Sequence, residues 1–515
     1  MNFKTTVLGI ELGSTRIKAV VLDKDHKPVA QGGFEWENRL CNGIWTYSMD
    51  DVLRGIRECY KDLTDRLGER PAEFGAIGIS GMMHGYLPFD RDWRQLAEFR
   101  TWRNSITGQA AEILTEKFGF NVPQRWSIAH LYQAILNGEE HVKDVAHLTT
   151  LAGYLHYLLT GKNAIGIGEA SGMFPIDSTK LGYDEEMLRK FDGISGLGVS
   201  ISDILPEVLT AGMNAGYLSA DGARLLDPSG TLRPGIPFAP CEGDAGTGMV
   251  ATNSVRVHTG NVSAGTSIFS MLVADHALSV HKEIDMVTTP SGAPVAMVHC
   301  SNCTSDINAW VALFGELLGA FGVSPDKGEL FTVLFKKALE GAPDCGGLLS
   351  YNYYSGESIT GVDEGRPVFV RAPGAELTLA NFMRTQLMSA LATLRIGTDI
   401  LRDENIRIDR LYGHGGFFKT PGVGQRLLSA SVAAPVSVME TAGEGGPYGM
   451  AILAAYMLNK GENETLEDYL DGRVFADARS STVMAEPEEI AGFNAFLEKY
   501  TGSFAVEKAA IETLY

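Results

Sequence analysis

The sequence predicts an α/β protein of two or more domains, with two similar lobes as one reading of a repeated turn that is also common in any chain of this length, and three observations carry that expectation. Strand-like and helix-like segments alternate from the start of the chain. A short motif, apolar strand, glycine with two hydroxyl residues, apolar strand, occurs near the beginning and again past the midpoint. A stretch rich in glycine and proline lies between the two copies. At 515 residues the chain is also longer than one core of ordinary size serves.

The elements follow in order. Val7–Ile10 reads as a strand, Gly13-Ser14-Thr15 as a turn, and Ala19–Leu22 as a second strand ending at Asp23. Asp50–Leu67 reads as an amphipathic helix, with Val52, Ile56, Cys59 or Tyr60, Leu63 and Leu67 at helical spacing. Ala76–Ser80 reads as a buried strand running into the loop Gly81-Met82-Met83-His84-Gly85. Between Thr231 and Gly248 the glycines and prolines mark the end of a first domain, which gives domains of 1–250 and 251–515. Asn261–Ser270 then repeats the opening motif through Gly265-Thr266-Ser267. The C-terminal third offers a long helix at Leu379–Leu401 and a glycine-rich loop at Gly413–Lys419. The stretch Glu444–Gly449 leads into a small-residue helix at Met450–Leu458.

Charge narrows the function. Lys and Arg number 43 against 63 Asp and Glu, a net charge of −20, which argues against nucleic acid or an anionic membrane as the main partner. A phosphorylated ligand remains compatible, because a few local N–H groups and cations hold a phosphate inside an acidic protein. The apolar run Val7–Ile10 is broken by Glu11 and no later segment is long enough to span a bilayer, so a cytoplasmic location is expected. Six cysteines are too sparse for a disulfide scaffold.

Several groups are candidates for chemistry. The turns Gly13-Ser14-Thr15, Gly265-Thr266-Ser267 and the Gly415-Gly416 loop supply N–H groups and hydroxyls that donate to phosphate, although each is also an ordinary turn sequence. No GxxxxGK[ST] loop is present, nor a strict GxGxxG with an acidic ribose clamp. Asp244 sits in what reads as a glycine-flanked loop, Pro240–Gly246, from which a carboxylate can orient a hydroxyl and take its proton; an Asx-turn or helix-cap role is the alternative. Met83 and His84 follow a buried strand directly, where α/β proteins place ligand-contacting loops, with a structural histidine as the alternative. Cys300-x-x-Cys303 stands without a partner pair and reads as buried thiols.

Together these residues resemble the FGGY family of carbohydrate kinases, of the actin/hexokinase/Hsp70 superfold. Gly9–Lys18 looks like the family's first phosphate loop, Ile79–Gly85 like the ketose-contacting stretch of xylulokinases, and Ala170-Ser171-Gly172 like a further landmark. Glu242–Ala245 looks like the segment bearing the catalytic aspartate, and Tyr354–Glu357 like the family's S-G-E stretch. The resemblance implies two ribonuclease H-like domains flanking an ATP/sugar cleft. Residues 1–250 would carry the sugar side and the first phosphate loop. Residues 251–515 would carry the second phosphate loop and the adenosine site.

It further implies Asp244 as catalytic base, with Met83, His84, Trp102 and Asp244 at the sugar. Gly13, Ser14, Thr15, Arg16, Lys18, Gly265, Thr266, Ser267, Gly415, Gly416 and Lys419 would hold ATP, and Glu11 with Asp244 would hold Mg²⁺. The implied reaction is ATP-dependent phosphorylation of a primary hydroxyl of a ketopentose, D-xylulose or a close relative. L-Ribulose or another ketose or polyol is the runner-up, and a homodimer is implied by family analogy. A rival of another class is an actin-like ATPase that activates a partner protein, with an iron–sulfur cluster on Cys300 and Cys303.

Three departures from the family pattern stand out. Glu11 replaces the usual aspartate of the first loop. Trp102-Arg103-Asn104 replaces the xylulokinase W-N-D stretch, exchanging a carboxylate for an amide and adding a cation. Thr304–Trp310 looks like the ribulokinase version of its region.

Overall fold

The opening hairpin organises the first sheet. In the computed structural model, which describes residues 2–439 and 445–514, β1 (Val7–Leu12) and β2 (Arg16–Leu22) pair antiparallel across the three-residue turn Gly13–Thr15. β3 (Pro28–Glu35) continues the meander, whereas β4 (Ala76–Gly81) and the short β5 (Glu242–Gly243) join on the other side in parallel. The sheet therefore runs β3-β2-β1-β4-β5. All six residues of β1 are buried, as befits a central strand covered on both faces.

Register identifies the two covering helices. Gly9 lies opposite Val20, and Gly32 opposite Ala19, so Gly9 and Gly32 face opposite sides of the sheet. Helix Met49–Leu67 packs on the Gly32 side. It is capped by the Ser48 hydroxyl, which accepts from the Asp51 N–H, and is ended by Gly68 in the left-handed region at φ 78°. Helix Gly445–Asn459 packs on the Gly9 side, so closely that a Cβ on Gly9 would lie 2.2 Å from the Pro447 carbonyl oxygen. Gly78, beside Gly9 in the parallel register, leaves room for Met450 in the same way.

The second sheet repeats the plan. β6 (Thr259–Ala264) and β7 (Ile268–Val273) form an antiparallel hairpin across Gly265–Ser267, and β8 (Pro294–Cys300) follows β7. β9 (Arg410–His414) and β10 (Val436–Met439) extend the other side in parallel, and β11 (Ser480–Val483) closes it antiparallel. The order β8-β7-β6-β9-β10 is the order of the first sheet, and the glycine–hydroxyl turn occupies the same place in each. Helix Leu379–Asp403, nearly all buried, supplies much of this unit's core.

The chain does not divide at a single point. One compact unit comprises Met1–Val255, His276–Val295 and Glu444–Asp477; the other comprises Arg256–Asp275, Ala296–Gly443 and Ala478–Tyr515. The glycine- and proline-rich stretch leads into a helix, Asp244–Ala251, and the first unit's opening segment ends shortly after it, at Val255. The small-residue helix expected at Met450 starts earlier, at Gly445, and Glu444 lies outside the described residues. No helix among the described residues is long and apolar enough to cross a membrane.

Candidate active site

The first turn has its carbonyls engaged. The Trp36 indole N–H donates to the Gly13 oxygen at 2.7 Å, the Tyr47 hydroxyl donates to the Ser14 oxygen, and the Trp36 backbone N–H donates to the Thr15 oxygen. The Gly13 N–H donates to the Arg16 oxygen at 3.1 Å, so the donors remaining to meet an anion are the N–H groups and hydroxyls of Ser14 and Thr15. Thr15 is exposed and Ser14 half-buried. The half-exposed Trp102 indole donates to the Ser14 hydroxyl at 3.3 Å, which places the predicted sugar wall beside the predicted phosphate turn.

Behind the turn lies a group of carboxylates. Glu11 on β1 pairs with Lys18, its cross-strand neighbour on β2, at 3.6 Å. Burial and the nearby Asp244 push the Glu11 carboxyl up to about 7, with Lys18 opposing. Gly446 at the start of helix Gly445–Asn459 completes this corner, where a Cβ would stand 2.0 Å from Glu11 Oε1. Arg16, by contrast, is not brought here; its guanidinium lies over Gly33 in a surface pocket with Glu35, Glu58 and Asp62.

Asp244 corrects the sequence expectation of a loop: it is the first residue of helix Asp244–Ala251. The chain turns from β5 straight into that helix, which fixes the carboxylate at a helix start. The Met83 N–H donates to Asp244 Oδ1 at 3.4 Å. Burial pushes this carboxyl up to about 6. Two further buried carboxyls stand behind it. Glu242 accepts from the Glu169 N–H at 2.9 Å and the Gly168 N–H at 3.3 Å, which anchors β5 to the short helix Ile167–Ala170. Glu169, wholly buried, is held well above the usual carboxylate range by burial, with Asp244 and Glu242 adding to it.

His84 has a defined tautomer. Its Nδ1 lies 3.0 Å from the Gly172 carbonyl oxygen, so that nitrogen carries the proton and Nε2 is left as an acceptor. The ring lies roughly parallel to Trp126 at 6.4 Å, and its backbone is in the left-handed region at φ 70°. Burial and the Arg125 cation bring its pKa down to about 3, so the ring is neutral throughout the working pH range. Gly172, part of the Ala170-Ser171-Gly172 landmark, leaves space for the pair, since a Cβ there would press on His84 and Met83.

The second unit places its predicted residues together as well. The Gly265 carbonyl accepts from the Thr304 N–H and hydroxyl at 3.1 and 2.7 Å, and the Thr266 carbonyl accepts from the Cys303 N–H at 2.9 Å. Gly415, at φ 98°, passes so close to Ala264 that a Cβ would meet its carbonyl oxygen at 2.5 Å. The Gly415-Gly416 loop and the Gly265–Ser267 turn are therefore neighbours, and Lys419 is exposed at the end of the following single turn, Gly416–Phe418. The thiols of Cys300 and Cys303 are buried, and burial pushes both up. Among the described residues no group of three or more His, Cys, Asp or Glu is arranged to hold a metal. The ribulokinase-like stretch starts helix Ser305–Ala320, where the Trp310 indole donates to Asp306 at 3.0 Å within the helix.

Sequence reasoning missed Glu169, Trp36 and Tyr47. Glu169 had a usable signal, a carboxylate immediately before Ala170-Ser171-Gly172. Two sheets sharing one strand order, each with a hydroxyl-bearing turn between its first two strands, are consistent with the actin/hexokinase-like superfold. Within that class the chain belongs to the FGGY family of carbohydrate kinases: residues 6–251 match the family's N-terminal domain and residues 260–458 its C-terminal domain. It is a sugar kinase.

A xylulose kinase of Haemophilus influenzae is 22% identical over 482 residues, covering 89% of this chain and 92% of its own. A glycerol kinase of Thermococcus gammatolerans is 22% identical over 299 residues, covering 55% of this chain and 56% of its own. Among solved structures, a xyloylose kinase from Brucella ovis superposes with a TM-score of 0.79 at 18% identity, covering 97% of this chain and 99% of its own.

Proposed function

We propose that the enzyme transfers the γ-phosphoryl group of ATP to a primary hydroxyl of a ketopentose, D-xylulose or a close relative. The observation that carries this reading is the placement of Asp244 at a helix start, bonded to the Met83 N–H and one residue along the chain from His84 with its free acceptor nitrogen. A proton acceptor thus stands beside a wall able to receive a polyol. In this reading Asp244 takes the hydroxyl proton as the new O–P bond forms and the bond to ADP breaks. His84 Nε2 accepts from a sugar hydroxyl, Met83 supplies an adaptable apolar contact, and Trp102 covers the sugar. Gly13–Thr15 and Gly265–Ser267 are the phosphate loops, with Lys18 offsetting charge and Gly415, Gly416 and Lys419 on the adenosine side.

The donor set fits Mg²⁺. Glu11 and Asp244 are hard oxygen ligands, Asp244 being close enough to raise the cost of ionising Glu11, and the described residues offer no complete cage. That suits an ion which takes its remaining ligands from phosphates and water. When bound, Mg²⁺ supplies charge neutralisation on the phosphates. Relatives acting on xylulose support the ketopentose, and the partial match to a glycerol kinase makes glycerol the natural competitor to test.

The test is ADP release from Mg-ATP against D- and L-xylulose, D- and L-ribulose and glycerol. Stimulation by one xylulose above the others is expected; a preference for glycerol would overturn the ketopentose assignment. His84→Ala is expected to raise the KM for sugar by about tenfold, with the KM for ATP within about twofold, the scale of one or two lost hydrogen bonds. Equal effects on both would make the histidine structural.

Because the folded His84 stays neutral above about 3, it adds no step of its own between pH 5 and 8, so the ratio of the sugar KM of His84→Ala to that of wild type is expected to be flat over that range. A histidine at its ordinary pKa would gain a proton as pH fell through the mid-sixes, lose its acceptor and raise KM. A ratio that falls toward one below pH 6.5 would contradict this geometry.

A further inference from the structure

The departure Trp102-Arg103-Asn104 has a structural explanation that leads away from the sugar. Asn104 is buried, at 3% exposure, and its amide is fully engaged with the protein. Oδ1 accepts from the Trp45 N–H at 2.8 Å, while Nδ2 donates to the Trp45 carbonyl at 2.9 Å and to the Thr101 carbonyl at 2.9 Å. Only an amide donates and accepts at once in this way; a carboxylate has no hydrogen to give. Arg103 is likewise occupied, its guanidinium 3.8 Å from the centre of the Trp45 ring.

Trp45 belongs to the segment 36–47, whose small hairpin pairs Arg39–Cys41 with Ile44–Thr46. The two ends of the segment, Trp36 and Tyr47, stack at 4.3 Å, and between them they engage all three carbonyls of Gly13–Thr15. Trp102, two residues before Asn104, returns to the same turn through the Ser14 hydroxyl. Ser14, Tyr47, Trp45, Asn104 and Trp102 thus form a closed ring of contacts.

We propose that residues 36–47 are a strap that fixes the first phosphate turn, and that Asn104, acting through Trp45, is a positioning residue for nucleotide phosphate rather than a ligand of the sugar. The proposal rests on the assignment of Gly13–Thr15 as a phosphate loop. Opening the ring at Asn104 or at Tyr47 lets the turn's carbonyls rotate toward the ligand, where they repel phosphate. Sugar contacts at Met83 and His84 lie outside the ring.

The experiment is calorimetric titration of the whole protein with Mg-ATP and, separately, with D-xylulose, for wild type, Asn104→Asp, Tyr47→Phe and the double variant. Each single variant is expected to weaken Mg-ATP by about five- to tenfold, the scale of one or two hydrogen bonds, and D-xylulose by less, because of the sugar contacts only Trp102 belongs to the ring. The double variant is expected to be no weaker than the poorer single one, because both open the same ring. Unchanged Mg-ATP affinity in a folded Asn104→Asp protein, a loss confined to D-xylulose, or strictly multiplying effects would each overturn the strap. Should Asn104→Asp fail to fold, Tyr47→Phe, which deletes one hydroxyl, decides alone: unchanged Mg-ATP affinity overturns the strap. A wild type that does not bind Mg-ATP would sink the phosphate-loop assignment itself, a separate result from equal binding by wild type and variants.

Discussion

Asp244→Asn is expected to lower kcat by about 10²- to 10⁴-fold, the usual scale for losing a general base, while affinity for ATP measured without Mg²⁺ stays within about threefold of wild type. The size follows from the reaction. The attacking hydroxyl must shed a proton as it bonds to phosphorus, and asparagine keeps the shape of the side chain but cannot accept that proton. The helix start at Asp244 and the Met83 N–H hold the group in place, and an amide oxygen accepts from Met83 as well. The fold of the site should therefore survive, and the loss should appear in turnover. The carboxyl sits near 6, low enough to be ionised at neutral pH and high enough to be a useful base. An Asn variant that turns over at near-normal rate would remove Asp244 from the mechanism.

Gly9→Ala is expected to be the most damaging small substitution for stability. The added Cβ would stand 2.2 Å from the Pro447 oxygen and 2.7 Å from the Ala451 nitrogen, both backbone atoms of the helix packed on β1. Backbone cannot swing aside as a side chain can, so the helix must lift from the sheet. That is overpacking at the upper end of its usual range, about 3 kcal/mol. The control is Gly319→Ala, in the exposed part of helix Ser305–Ala320 with nothing within 4 Å, where the gain in helix propensity makes a neutral or slightly stabilising result the expectation. Urea unfolding followed by circular dichroism compares the two; a Gly9→Ala protein as stable as wild type would show that the helix does not approach β1 this closely.

The two-fold repetition of the architecture had a trace in the sequence because the same strand–turn–strand pattern occurs twice, with Gly13-Ser14-Thr15 and Gly265-Thr266-Ser267 as its turns. The return of Glu444–Asp477 to the first unit was not legible, because local periodicity carries no record of which sheet a helix packs on. Asp244 was read as a loop residue because Gly243, Gly246 and Gly248 are poor helix formers; the helix exists because its Met249, Val250 and Ala251 are buried, so packing overrides propensity.

Asn104 was read as a lost carboxylate at the sugar. Its role emerges only when Trp45, far away in sequence, is seen to present both an N–H and a carbonyl to it. Trp36 and Tyr47 escaped notice for the same reason: their partners are backbone carbonyls, which no sequence pattern marks.

The most direct test of the central claim is to identify the product. The enzyme is incubated with Mg-ATP and D-xylulose, and the mixture is followed by ³¹P and ¹³C NMR. The proposed function predicts one new phosphomonoester, with phosphorus coupled to a primary carbon of the sugar and formed in equal amount to ADP. ADP accompanied only by inorganic phosphate, with the sugar unchanged, would contradict it.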